Sequence, residues 1–191
     1  MSTAPIPWTA AALTATTVVL GLPTLSERFA YDRGAVAAGE VWRFLTGHFT
    51  HWTAEHLGWD LLVFVVLAVL WERSGARRSL AVCVFGAALL ISTAVWTATP
   101  EMTLYRGLSG VDCALVTATA VHLLRGSLRR GQWGLATAFA VVLAGYFLKI
   151  LYELSGGTVF VAADAFVAVP LAHLVGGSYG VLLAVCRSGD G

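Results

Sequence analysis

Tyr105-Arg106-Gly107-Leu108-Ser109-Gly110-Val111 stands at the mouth of an apolar segment that continues to about Leu124. A helix crossing the ~30 Å hydrocarbon layer needs roughly 20 apolar residues. This segment therefore reads as a membrane span with a hydroxyl at its outer end. Five further stretches read the same way: about Trp8–Leu25, His56–Glu72, Leu80–Ala98, Trp133–Tyr152 and Val167–Cys186. Lipid offers backbone groups no partners, so each span must be helical. The expected fold is all-α, a polytopic bundle of six transmembrane helices. Composition points the same way. Of 191 residues 58% are hydrophobic and 12% charged, with a mean hydropathy of +0.77, whereas a soluble domain carries about 25% charged residues. The lipid bilayer is the implied partner, and a net charge of +1 gives no basic surface for nucleic acid.

Arginine placement sets the orientation. The connections Arg73–Arg78 and Arg125–Arg130 each carry three arginines and no acid, and Arg187 follows the last span. The positive-inside rule makes these cytoplasmic. A multi-pass protein of the inner (cytoplasmic) membrane with both termini in the cytoplasm is expected. The first segment lacks the basic start and small-residue cleavage site of a signal peptide. The expected layout is a first helix with a short N-terminal tail over 1–25, an interfacial first loop over 26–55, five helices over 56–186, and a short tail over 187–191. In that first loop and the turn after it, Trp42, Phe44, Phe49, Trp52 and Trp59 alternate with Arg43, His48, His51, Glu55 and His56. Such a stretch suits the headgroup layer. The histidines at 48, 51 and 56 also invite a metal reading, but no cysteine or paired carboxylate supports it. Neither metal nor cofactor is expected. Cys83, Cys113 and Cys186 form no metal spacing and no disulfide framework.

An ionisable group inside a span is expensive and is a functional hypothesis by default. His173 is such a group, in Ala172-His173-Leu174-Val175-Gly176-Gly177-Ser178-Tyr179-Gly180. Ser109, Cys113 and Thr117 recur every four residues beside Gly110, Ala114 and Ala118, while Ala172, Gly176 and Gly180 make a second small-residue stripe. Small residues let membrane helices approach closely. If these faces meet, His173 reaches Ser109. A serine hydroxyl needs an adjacent base to become a nucleophile, and imidazole suits that role near neutral pH. Gly107 and Gly110 flank the serine, and free N–H groups at a helix start can stabilise an oxyanion. Two plainer readings stand beside this one: Ser109 as a helix N-cap, and His173 as a structural donor.

Taken together, these motifs resemble the rhomboid family of intramembrane serine proteases. Glu40-Val41-Trp42-Arg43, followed by His51 and Glu55-His56-Leu57, resembles the family's first-loop motif and helix start. Gly107-Leu108-Ser109-Gly110-Val111 with Ala114-Leu115 resembles its nucleophile motif, and Ala172-His173 with Gly176 and Gly180 its histidine motif. The resemblance implies Ser109 as nucleophile and His173 as general base, with no third acid required. It implies an oxyanion hole from the backbone N–H of Ser109, the side chain of His56 and the position of Asp60, and Gly107 is expected in the same hole. Trp42, Arg43 and His51 would have structural roles in the first loop, and Gly110, Gly176 and Gly180 would pack helices. The substrates implied are single-pass membrane proteins, cleaved in or next to a transmembrane segment. The compact core is also similar to rhombosortases, a bacterial branch that processes C-terminal sorting segments.

Two residues depart from the pattern. Where the family has asparagine, this chain has Asp60, and it contains no asparagine anywhere. An ionised Asp60 would repel an oxyanion, whereas a protonated one, or His56 with backbone donors, would not. Asp60 is thus the best support for the alternative, a catalytically impaired relative that binds or retains membrane helices. Asp112, three residues after Ser109, is either a partner for His173 or, as favoured here, a partner for Arg106 or a loop group near the outer surface. A transporter using Asp60, Asp112 and His173 as a proton relay finds no paired, Gly/Pro-broken spans to support it. Glu72 and Arg73 read as interfacial charges flanking a span.

Overall fold

The computed structural model describes residues 6–74, 76–157 and 169–186. The first apolar run does not form one straight helix. α1 (Trp8–Leu20) stops at Gly21, and α2 (Pro23–Phe29) leaves it at 99°. Pro23 is the cause. It lacks an N–H and disfavours the helical conformation of the residue before it, and Leu22 is accordingly extended (φ −62°, ψ 137°). The single span expected over Trp8–Leu25 is corrected to this bent pair. α1 has 13 residues, about 20 Å at 1.5 Å per residue.

The loop that follows is folded rather than draped along the surface. β1 (Tyr31–Asp32) pairs antiparallel with β2 (Leu104–Tyr105), a small exception to the all-helical expectation. That pairing ties the first loop to the chain just ahead of Ser109. Asp32 caps α3 (Arg33–Ala37) by accepting the N–H of Ala35 at 2.9 Å. α4 (Arg43–Thr46) runs into a 3-10 turn, Gly47–Phe49. Expected at the lipid interface, Arg43 is instead buried, donating to Ala30 O at 2.6 Å and to Glu40 Oε2 at 2.7 Å. His48 is fully buried, with Nε2 2.9 Å from Ala88 O and 3.0 Å from Ser92 Oγ. Burial pushes its imidazole down to about 4, so it is neutral at physiological pH. Trp42 remains exposed.

Four described helices are long and apolar enough to cross a membrane: α5 (Ala54–Arg73), α6 (Arg77–Ala98), α7 (Ser109–Arg129) and α8 (Trp133–Leu154). The bent α1–α2 pair counts as a fifth candidate, and α9 (Pro170–Cys186) is a shorter apolar helix of 17 residues. The expected start of the sixth span at Val167, most of the connection before it, and the tail over 187–191 lie outside the described residues. Outward faces carry Val63, Val66 and Leu70 on α5, Phe85 and Leu89 on α6, and Val141, Phe147, Leu148 and Leu151 on α8, all exposed. A contiguous apolar surface of this kind is covered by lipid, not water. The chain is a multi-pass membrane protein.

α7 is the most buried of the four long helices, and its main partner is α9. α8 is mostly lipid-facing, but Tyr146, Ile150 and Glu153, spaced four and three residues apart, are buried. That face looks inward. Glu72 corrects a further expectation. It is buried rather than interfacial, and its carboxylate accepts the N–H groups of Thr9 at 3.0 Å and Ala10 at 2.7 Å. It satisfies donors that the first turn of α1 cannot satisfy internally.

Candidate functional site

Ser109 is the first residue of α7, and the chain reaches it through a forced conformation. Gly107 has φ +128°, and a Cβ there would come within 2.9 Å of His56 Cε1 and 3.1 Å of Nε2. Only glycine fits both the backbone and the ring. Leu108 donates its N–H to Asp60 Oδ2 at 2.8 Å, which pins the turn ahead of Ser109 to α5. The N–H groups of Ser109 and Gly110, in the first turn of α7, have no acceptor within their own helix.

His173 is brought to Ser109 by backbone contact between α7 and α9. A Cβ on Gly176 would overlap the carbonyl of Gly110, and one on Gly180 would overlap the carbonyl of Ala114 and Thr117 Oγ1. A Cβ on Gly110 would lie 2.8 Å from Ile91 Cδ1 and 3.0 Å from Ala172 O. Thr117 Oγ1 donates across the seam to Gly177 O at 2.9 Å. At the end of this seam where α7 begins, His173 Nε2 lies 2.9 Å from Ser109 Oγ. His173 is buried and Ser109 half-buried.

The other ring nitrogen of His173 has partners that the sequence reading missed. Nδ1 lies 2.8 Å from Glu153 Oε2 and 3.1 Å from Lys149 Nζ, while Lys149 Nζ lies 2.7 Å from Glu153 Oε1. Tyr146 donates its hydroxyl to His173 O at 2.6 Å. The span expected over Trp133–Tyr152 stops one residue short of Glu153; α8 runs on to Leu154 and holds Glu153 one turn beyond Lys149. One signal was available. Lys149 is the only lysine in the chain, and it stands inside an apolar helix four residues before a carboxylate, the spacing of an ion pair.

Asp112 fulfils neither expectation. It is buried, and its Oδ1 has no hydrogen-bond partner. Arg106, the partner favoured for it, instead lies over the Trp52 ring at 4.6 Å and donates to Ser26 Oγ at 3.4 Å. Gly107 is also corrected as an oxyanion donor, because its N–H bonds Gly47 O at 3.3 Å. Asp60 acts as an acceptor. Besides the Leu108 N–H, its Oδ2 faces His51 Nε2 at 3.0 Å and His56 Nε2 at 3.4 Å. His51, His56 and Asp60 each offer one ligating atom, all within 4.8 Å of one another. They are the described residues best placed to hold a metal ion. His48 points away from them, towards α6.

Comparison with curated proteins gives no match. The family model of the Rhomboid domain matches residues 38–189, most of the chain and all of the site just described. The chain belongs to the rhomboid family of intramembrane proteases.

Proposed function

We propose that this protein is an intramembrane serine endopeptidase in which Ser109 is the nucleophile and His173 the general base. The 2.9 Å approach of Ser109 Oγ to His173 Nε2 carries this reading. His173 Nε2 takes the hydroxyl proton as Oγ attacks the scissile carbonyl. The resulting oxyanion meets the N–H of Ser109 and the ring N–H of His56. Collapse expels the amine, which receives the proton back from His173, and water then releases the acyl group by the same route. The substrates are single-pass membrane proteins, cut in or next to their transmembrane segment. The positive-inside pattern supports six crossings, both termini in the cytoplasm and a site near the outer face of the inner membrane.

Two measurements test the reading. In detergent, a fluorophosphonate is expected to label wild type but not Ser109→Ala, and only wild type is expected to cleave a fluorescent transmembrane substrate. Equal cleavage by both proteins would remove Ser109 from the chemistry. A second reading, a slow or inactive relative that retains membrane helices, draws on the Asp60 carboxylate at the oxyanion position. Losing one oxyanion donor costs on the order of 10²–10³ in rate.

A further inference from the structure

We propose that Glu153, neutralised by Lys149, is a positioning residue that fixes the tautomer of His173. The inference rests on the protease reading of Ser109 and His173, and deepens it with a third member that the family resemblance does not require. A neutral imidazole carries one proton on two nitrogens. To act as a base towards Ser109, His173 must hold that proton on Nδ1 and keep the Nε2 lone pair free. Glu153 Oε2, at 2.8 Å from Nδ1, is an acceptor and selects that form. The same carboxylate stabilises the imidazolium formed when Nε2 takes the serine proton, the role of the acid in soluble Ser-His-acid sites.

Lys149 makes the arrangement specific. Its ammonium has donors only, and it lies 2.7 Å from Glu153 Oε1 and 3.1 Å from His173 Nδ1. It cannot donate to Nδ1 while that atom carries a proton, so in the working form it binds the carboxylate. Its side chain is 24% exposed, which leaves its remaining protons within reach of water. Glu153, whose side chain is 3% exposed, depends on this counter-charge to stay ionised in an apolar bundle. Nδ1 therefore has two competitors. Without Glu153, the ammonium donates to Nδ1 and moves the ring proton to Nε2, where it faces Ser109 and blocks proton transfer.

The test uses the full chain in detergent, with fluorophosphonate labelling of Ser109 and selective 15N-histidine NMR, the His173 signal being assigned by its loss in His173→Ala. Wild type is expected to show the Nδ1–H tautomer. Glu153→Ala is expected to shift it to Nε2–H and slow labelling by on the order of 10²–10⁴. Removing Lys149 as well (Lys149→Ala with Glu153→Ala) is expected to recover at least about tenfold over Glu153→Ala alone, because the competing donor is gone; a residue that merely packs would not respond in this way. A folded Glu153→Ala protein with the wild-type tautomer and labelling rate overturns the proposal. If that variant does not fold, Glu153→Gln decides: labelling at least about tenfold slower supports the role, and an unchanged rate overturns it. Wild type that leaves Ser109 unlabelled overturns the protease reading instead, and the tautomer signal still decides the part played by Glu153.

Discussion

Asp60 illustrates how one atom's hydrogen bonding changes the meaning of a residue type. Judged by type, a carboxylate at this position is a defect, since an oxyanion needs donors. In the structure its Oδ2 receives the N–H of Leu108, so it organises the turn that presents Ser109. An unsatisfied buried N–H costs about 1–3 kcal/mol. Asp60→Ala should therefore unfold several degrees below wild type, at roughly 2–4 °C per kcal/mol for a chain of this size. Asp60→Asn keeps an acceptor for Leu108 and should unfold close to wild type. Equal losses in the two variants, measured by thermal unfolding in detergent, would show that the bond to Leu108 is unimportant. Neither His173 nor Arg106 pairs with Asp112, because spacing along one helix cannot say what the neighbouring helix offers. Glu153, on α8, is closer to His173 than any acid on α7.

At the scale of elements, the α7–α9 seam is a backbone contact. Gly176 rests on the carbonyl of Gly110 with no room for a Cβ. Gly176→Ala should force the helices apart and slow fluorophosphonate labelling of Ser109 by tenfold or more. Gly134→Ala on α8, where a Cβ meets nothing within 4 Å, should leave labelling unchanged. Similar rates in the two variants would mean that the seam tolerates the methyl. This seam was legible in the sequence because small residues four apart have few uses in a membrane other than close approach. The long spans were legible because hydropathy measures what lipid demands. The bend after α1 was signalled by Pro23 yet masked by the apolar residues around it. The burial of Glu72 and Arg43 left no trace in the sequence, since a charge at a span's end or in an interfacial loop looks the same whether it meets water or a helix terminus.

For the molecule as a whole, His48 links the first loop to acid stability. Its ordinary value of 6.5 falls to about 4 in the folded protein because burial disfavours the charged form. Below pH 6.5 the unfolded chain takes up a proton that the folded chain refuses until about pH 4. The stability is therefore complete above 6.5 and declines as pH falls towards 4. Melting temperatures of wild type should drop more steeply over that window than those of His48→Gln; parallel curves would assign the acid sensitivity elsewhere. The first loop is thus a clamp on the rest of the fold, held at one end by the β1–β2 pair and at the other by the bond from His48 to α6.

The shortness of α1 reaches beyond the polypeptide. On that flank the apolar wall is roughly a third shorter than the ~30 Å acyl layer it meets. Surrounding lipid tails must compress or splay there, at fractions of a kcal/mol per Å of mismatch. The lipid jacket is uneven as a result, with a thinned sector beside α1, which packs against α5, the helix that carries His56 and Asp60.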